Sequence, residues 1–265
     1  MNRNPKISIV TVVFNGESEI ERTIRSVVNQ TYKNIEYIIV DGASKDNTLN
    51  IVKKYEKKID KLLSEPDKNL YDAMNKGLAL ATGEYLWYMN SGDEINDPTT
   101  LEAVFLQGTD ADVYYGETML VEESGKELGT RSDLSTHKLP GKLTWKKMNK
   151  GMVVQHQSFI VRRGLAPEYD MQYRWAADID WVIKCLKEAK TVHNTNIILS
   201  RFLTNRVLGK FYSGGASTKN LYTSLRERFA IFNKHYGTIP NVFNHLSIGF
   251  KALFTAIRPG KSKKS

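Results

Sequence analysis

Apolar runs of strand length recur along the first half of the chain: "ISIVTVVF" (Ile7 to Phe14), "IEYIIVD" (Ile35 to Asp41), "EYLWYMN" (Glu84 to Asn90) and "ADVYYGE" (Ala111 to Glu117). They are rich in Ile, Val and Tyr and barely alternate, the pattern of strands covered on both faces. Between them the apolar spacing switches to a helical period. Ile20, Ile24, Val27 and Val28 share one face, then Leu49, Val52 and Ile59, then Leu70, Ala73, Met74, Leu78 and Ala81. The order β-α-β-α-β predicts an α/β fold with a mostly parallel central sheet and flanking helices. Local punctuation agrees. Asp46 or Asn47 is expected to cap the second helix, and Asn69 the third, with Asp72 three residues on as in a capping box. Gly83 stands where a left-handed C′ residue would end that third helix.

From about Pro98 the pattern loosens. "VEESGKELG" reads as a hairpin, and a polar, basic stretch runs on to Lys150. There follow an apolar segment "MVVQHQSFIVRR", a helix "ADIDWVIKCLKEA", a β-rich "TVHNTNIILSRFL" and a loop "YSGGAS". Beyond these, "LYTSLRERFAIFNKHYG" places Leu221, Leu225, Phe229 and Phe232 on one helical face, and "VFNHLSIGFKALFTAI" reads as a further helix.

A chain of 265 residues that is 41% hydrophobic can bury a substantial core, as one large domain or a domain with an appendage. Its single cysteine, Cys185, excludes an intramolecular disulfide framework and a Cys-rich zinc site, which makes the cytoplasm the default expectation. The N-terminal apolar run is broken by Thr11 and followed at once by Asn15, Gly16 and Glu17, unlike a secretory signal, and no stretch approaches the roughly 18 apolar residues of a spanning helix. The net charge is +9, part of it concentrated in the terminal "IRPGKSKKS". That tail reads either as a solvated terminus or as a patch for an anionic surface.

In an open α/β sheet, ligands bind beyond the carboxyl ends of the strands. Here those ends read Phe14-Asn15-Gly16, Asp41-Gly42-Ala43-Ser44 and Asn90-Ser91-Gly92-Asp93. Asp41 can accept from a base N–H or a ribose hydroxyl, Phe14 can stack on a flat ring, and Asp93 can hold a divalent cation through hard oxygen. Taken singly, each Asp-Gly or Gly-Asp pair reads equally well as a turn. No G-x-G-x-x-G follows the first strand and no G-x-x-x-x-G-K-[ST] occurs, so neither a dinucleotide fingerprint nor a P-loop is present. Phosphates must then be held otherwise, and a metal on Asp93 with help from Lys68 or another basic side chain is the simplest arrangement this sequence allows.

"SIVTVVFNGESEIERTIRSVVNQTYKNIEYIIVDGASKDNT", "EPDKNLYDAMNKGLALATGEYLWYMNSGDE" and "HQS" together resemble glycosyltransferase family 2, with its nucleotide-diphospho-sugar transferase (GT-A) fold. The resemblance covers the first hundred residues densely and the rest in patches. It implies that Phe14 and Asp41 contact the nucleobase, with Asn15 beside them, that Asn75 borders the nucleotide, and that Asp93 binds Mn²⁺ or Mg²⁺ on the donor diphosphate. The family often reads Asp-Ser-Asp-Asp where this chain reads Asn-Ser-Gly-Asp, so the ribose contact falls to Ser91, backbone or water. Where the family opens a helix with Glu-Asp, this chain has Ala177-Asp178; Asp178 is the implied catalytic base, with Asp180 the alternative. His156 and Gln157 are implied to line the acceptor pocket, and either reads equally as structural. "YSGGAS" resembles the family's Gly-Gly-x-Ser loop.

The implied protein is an inverting, metal-dependent hexosyltransferase of cell-surface polysaccharide synthesis. It would move a sugar from a nucleotide-diphosphate donor, a UDP-sugar by expectation, to a glycan or lipid-linked acceptor. Residues 1–218 would form the catalytic domain, with 1–97 the nucleotide half and 98–218 the acceptor half, and 219–265 a helical extension. Phe250, Leu253, Phe254 and Ile257 with Lys251 and Arg258 would either lie on the inner face of the membrane or pack on the domain. A non-catalytic sugar-nucleotide or glycan-binding module is the competing expectation. Nucleic acid is not an expected partner, since no recognition motif accompanies the charge.

Overall fold

The computed structural model describes residues 4–105, 110–122, 124–135, 137–204 and 220–244, with the backbone alone for Lys150 and Leu221. The loop "YSGGAS", the expected further helix beyond Asn244 and the basic tail lie outside the described residues. β1 (Ile7–Val13) is buried at every position. Its Ile7, Ile9 and Val13 pack with Ile20, Ile24 and Val27 of α1 (Ile20–Val28), while Val10 and Val12 pack on the opposite face. Both faces are thus covered, which is why the run does not alternate. The two polar residues in it are satisfied internally. Ser8 Oγ donates to Glu36 and Thr11 Oγ1 donates to the Met89 carbonyl at 2.7 Å.

The chain continues through β2 (Ile35–Asp41), α2 (Thr48–Lys53), β3 (Lys61–Ser64), α3 (Leu70–Leu80) and β4 (Tyr85–Tyr88). After it come β5 (Asp93–Ile95), α4 (Thr100–Phe105), β6 (Val113–Val121), β7 (Glu127–Thr130) and α5 (Arg131–Leu134). β8 (Phe159–Arg162), α6 (Ala177–Glu188), β9 (Val192–Leu203) and α7 (Leu221–Tyr236) complete the described elements. Among the described residues nine strands form one sheet in the order β3-β2-β1-β4-β8-β6-β9-β5, with β7 on β6.

The expected parallel character holds for β3, β2, β1 and β4, where helices supply the crossovers. Beyond β4 the sheet is mixed. β8 runs antiparallel to both β4 and β6, β5 antiparallel to β9, and the expected hairpin joins β6 to β7. The site-bearing ends of β1, β2 and β4 all belong to the parallel part.

Several local expectations are corrected. β3 replaces the end of the expected second helix: α2 stops at Lys53, and Ile59 lies in the extended lead-in to that strand. Asp46, not Asn47, accepts from the Thr48 N–H (3.0 Å). Asn69 does cap α3, accepting from the N–H groups of Tyr71 and Asp72, but the Asp72 carboxylate accepts from Lys68 N–H, one residue before the box position. Leu70 is 50% exposed, and Tyr71 turns inward instead, stacking on Tyr169 with ring centroids 5.2 Å apart. On α7, Leu225 and Phe229 turn outward while Ile231 and Phe232 enter the core with residues of α3 and α6.

Gly83 is not a left-handed cap, since Ala81 already ends α3 in an extended conformation. It is glycine because the backbone passes too close for a side chain: a Cβ there would stand 2.6 Å from Ser8 N and 2.9 Å from the Lys6 carbonyl. Gly83→Ala should therefore cost about 1–3 kcal/mol through overpacking against backbone. Urea unfolding measures this, and an unchanged midpoint would contradict it.

Candidate functional site

The loops after β1 and β2 lock together at the sheet edge. Asn15 N–H donates to Ser44 Oγ (2.8 Å), Lys45 N–H to Asn15 Oδ1 (2.9 Å), and Gly16 N–H to Thr48 Oγ1 (2.9 Å). Asn15 and Ala43 adopt left-handed backbone conformations to allow this. The expected role of Asn15 shifts accordingly: its amide oxygen fastens one loop to the other.

Inside this rim Asp41 is fully buried. Its Oδ2 accepts from Ser64 Oγ (2.7 Å) and Ser44 N–H (3.1 Å), and its Oδ1 has no partner. Phe14, 64% exposed, lies over Gly42, where an added Cβ would meet its ring at 3.3 Å and the Asp67 carboxylate at 2.8 Å. A flat apolar platform thus stands beside two carboxylates. Asp67 was not among the expected site residues; its one sequence signal is its place before Lys68 in "EPDK". Lys76 holds it at 2.7 Å, and Lys68 is exposed next to it. Asn75, expected to border the nucleotide, has its amide taken up within the protein. Its amide donates to the Tyr169 carbonyl (3.0 Å) and accepts from Tyr169 N–H (2.7 Å), so both ends pin backbone.

Asn90 to Asp93 form a tight turn, closed by Asp93 N–H on the Asn90 carbonyl (2.9 Å). α1 grips it from behind. Thr23 Oγ1 accepts from Gly92 N–H (3.0 Å) and donates to the Asp93 carbonyl (2.7 Å). Gly92 has φ +99°, a region costly for other residues, and a Cβ there would sit 3.0 Å from Glu19 Oε2. The Glu19 carboxylate thus stands beside the position where the family pattern carries an acid. Asp93 is 5% exposed, and that burial pushes its carboxyl up to about 8, with Glu19 and Glu94 adding to the shift and Arg22 opposing it. Ser91 Oγ and Asn90 Oδ1 are buried without partners on the same turn. Among the described residues no group of three or more His, Cys, Asp or Glu side chains could hold a metal alone. The turn instead offers scattered oxygens: two carboxylates, a hydroxyl and an amide carbonyl, a donor set that suits a hard cation completed by ligand oxygens.

Asn90 Nδ2 also contacts His156 Nε2 at 3.2 Å, joining the end of β4 to the segment that precedes β8. As Nδ2 can only donate, that ring nitrogen accepts. Burial depresses the His156 pKa, against the pull of Asp178, so the ring is neutral near pH 7. Asp178 lies in the first turn of α6. Burial pushes its carboxyl above the usual range, with His156 and Arg228 holding it partly back. Gln157 is buried, and its backbone carbonyl accepts from Trp87 Nε1 (3.0 Å), which fastens this segment to β4.

Asp180 is likewise removed from the site. It is fully buried, ion-paired with Lys184 (2.6 Å) and hydrogen-bonded to His235 of α7 (2.7 Å). Burial alone would raise its carboxyl, but the bonds to His235 and Lys184 outweigh this and hold it at about 2. His235 Nδ1 contacts the Lys187 ammonium at 3.0 Å, so Nδ1 accepts and Nε2 donates to Asp180.

The ring platform, the buried carboxylates and the raised-pKa acid thus gather at one edge of a mixed α/β sheet, where its parallel strands end. The Glycosyl transferase family 2 model matches residues 8–169, and the chain belongs to that family. It is 31% identical over 189 residues to an uncharacterised glycosyltransferase of Mycobacterium tuberculosis, covering 69% of this chain and 70% of that one. It is 29% identical over 197 residues to a PGL/p-HBAD biosynthesis glycosyltransferase of Mycobacterium bovis, covering 71% and 72%. Among solved structures, S. aureus TarS residues 1–349 superpose with TM-score 0.67 at 18% identity, covering 96% of this chain and 75% of that one. The same protein in complex with UDP-GlcNAc gives 0.62 at 21%, covering 85% and 66%. A mannosyltransferase from Pyrobaculum calidifontis, in complex with GDP-Man and Mn²⁺, gives 0.54 at 15%, covering 94% and 81%. These likenesses establish the GT-A fold.

The two acids of α6 should respond oppositely to neutralisation. Asp178, its pKa raised on folding, opposes folding once ionised. Asp178→Asn should unfold no lower than the wild type at pH 8, with any gain vanishing as the pH falls towards 4. Asp180, its pKa lowered, stabilises above the ordinary carboxylate range and loses that contribution only as the pH falls towards about 2. Asp180→Asn should cost about 1–3 kcal/mol at neutral pH, because the buried His235 ring and the Lys184 ammonium lose a charged acceptor. Thermal unfolding of both variants from pH 4 to 8 checks the pair, and equal losses at pH 8 would refute the contrast.

Proposed function

We propose that the protein transfers a sugar from a nucleotide-diphosphate donor to a hydroxyl of a glycan or lipid-linked acceptor, with inversion. The Asn90–His156 contact carries this reading, because it joins the end of β4 to a histidine that interacts electrostatically with Asp178. Phe14 would stack on the base, Asp41 Oδ1 would accept from a base N–H, and Lys68 would reach the phosphates. The UDP and UDP-GlcNAc complexes of TarS support a uridine donor, and the PGL biosynthesis relative supports a glycan or glycolipid product. The lone, buried Cys185 supports a cytoplasmic setting. Among the described residues no helix is long and apolar enough to cross a membrane.

In the proposed step Asp178 takes the proton of the acceptor hydroxyl as general base. The oxygen bonds to the anomeric carbon from the face opposite the diphosphate, and the bond to the leaving oxygen breaks with its electron pair. One displacement inverts the centre and needs no covalent enzyme intermediate. His156, held neutral, leaves Asp178 the ionisable group beside it. Mn²⁺ or Mg²⁺, when bound, would supply positive charge to the leaving diphosphate. Asp93, Glu19 and Ser91 are the residues of this chain that would hold the ion.

Two outcomes test this reading. Asp178→Asn should lower transfer at least a thousandfold while leaving UDP affinity unchanged, and the wild-type rate should rise with pH through a value above the usual carboxylate range. Nucleotide release from a panel of UDP-, GDP- and dTDP-sugars measures both; transfer that survives the substitution rules out the assigned base. Mn²⁺ should bind weakly to the protein alone and clearly more tightly with UDP present. Tight binding without nucleotide, measured calorimetrically, would contradict the dependence on ligand oxygens.

A further inference from the structure

We propose that Glu227 of α7 is a positioning residue for the reaction: its carboxylate holds the segment that opens α6, and so sets where Asp178 stands. This rests on the transferase reading above. Glu227 is the one acid in the sequence from Ala189 to Ser265, and Arg226 and Arg228 flank it. It is half-buried, and both of its oxygens are directed to the backbone of another element. Oε1 accepts from Arg174 N–H (2.9 Å) and Oε2 from Trp175 N–H (2.8 Å). Two charge-assisted bonds made by the two oxygens of one group fix orientation as well as position.

The residues so held lie just ahead of a helix that has no cap of its own. α6 begins at Ala177, and Ala176 at the N-cap position has no side chain that could accept from the first turn. Unbonded N–H groups and the positive end of the helix dipole gather at such a start. A carboxylate brought in from α7 offsets part of that deficit and ties down the approach to the helix. Asp178 follows Trp175 by three residues, and its Oδ1 accepts from Ile179 N–H (3.0 Å), so the base is carried by that same first turn. Burial pushes the Tyr71 phenol up, and the charges of Asp178 and Glu227 both add to the shift, so the two carboxylates act on one buried ring.

The rest of α7 keeps Glu227 in register with α6. Ile231 and Phe232 enter the core, Lys234 pairs with Asp170 (3.3 Å) in the same lead-in, and His235 is hydrogen-bonded to Asp180 (2.7 Å). α7 therefore holds both the approach to α6 and its first turn. A displacement of about 1 Å at a reacting group can cost on the order of a hundredfold in rate. A carboxylate that touches neither substrate nor reacting atoms can thus govern turnover.

The test is nucleotide release by the full chain from the UDP-sugar that the wild type turns over fastest, compared with Glu227→Gln, Glu227→Ala and Glu227→Asp. Rates are read at a temperature where circular dichroism shows each variant folded. Gln matches Glu in shape but offers one acceptor oxygen to two N–H groups, and Ala offers none. Both should lower kcat at least tenfold, while the donor KM and the UDP affinity stay at their wild-type values. Glu227→Asp keeps two acceptor oxygens and should lose less than either. Should the Ala variant fail to fold, the Gln and Asp variants decide between the outcomes. No release by the wild type from any UDP-sugar, or full release by Asp178→Asn, would strike the transferase reading itself. With the wild type active and Asp178→Asn inactive, three results each overturn this proposal alone: wild-type kcat in the Gln variant, a raised donor KM at unchanged kcat, or an Asp variant no faster than the Gln variant.

Discussion

The burial of β1 on both faces is the constraint from which the site follows. Helices cover the parallel strands above and below, so their interiors admit mostly apolar side chains, and the few polar groups among them, Ser8, Thr11 and the Glu36 carboxylate, are bonded internally. Polar chemistry is displaced to where the strands end. There the loops hold one another, α1 holds the Asn90–Asp93 turn through Thr23, and Asn90 reaches across to His156. The buried core thus sets the position of each functional group by excluding it from everywhere else.

Within that edge, neighbouring residues of one chemical type are given different work by their surroundings. Asp178 and Asp180 lie two apart in the first turn of α6, where successive side chains diverge. One faces a neutral histidine with its carboxyl pushed up, poised to accept a proton. The other is closed in by Lys184 and His235 and fastens α6 to α7. Gly92 has a similar logic. Its positive φ disfavours any other residue, and the Glu19 carboxylate lies where a side chain would begin, so an acid from α1's N-terminus stands beside the turn that lacks its own.

Much of this was legible in the sequence where the signal is local. The non-alternating runs of β1, β2 and β4, the Asn69 cap and the strand-end residues Phe14, Asp41 and Asp93 follow from periodicity and from the edge rule. The failures are long-range. The amide of Asn75 is used by Tyr169, 94 residues away, and Asp180 by His235, 55 residues away. Gly83 looked like a cap because a helix ends near it, whereas the reason for glycine is the Ser8 backbone across the sheet. Glu19 and Asp67 carry no motif of their own, and only the folded loops bring them to Gly92 and Gly42. β3 is short and half exposed, with a pattern too weak to compete with the helical period before it.

The central claim is that the strand ends bind a nucleoside diphosphate through Phe14 and Asp41. Phe14 is 64% exposed, so Phe14→Ala leaves the core intact and isolates its contribution. Calorimetric titration of UDP into the wild type and this variant is the direct measurement. The account predicts single-site binding by the wild type and a loss of about 1–3 kcal/mol for Phe14→Ala, the worth of one stacked base. No binding by the wild type, or equal binding by both, would contradict it.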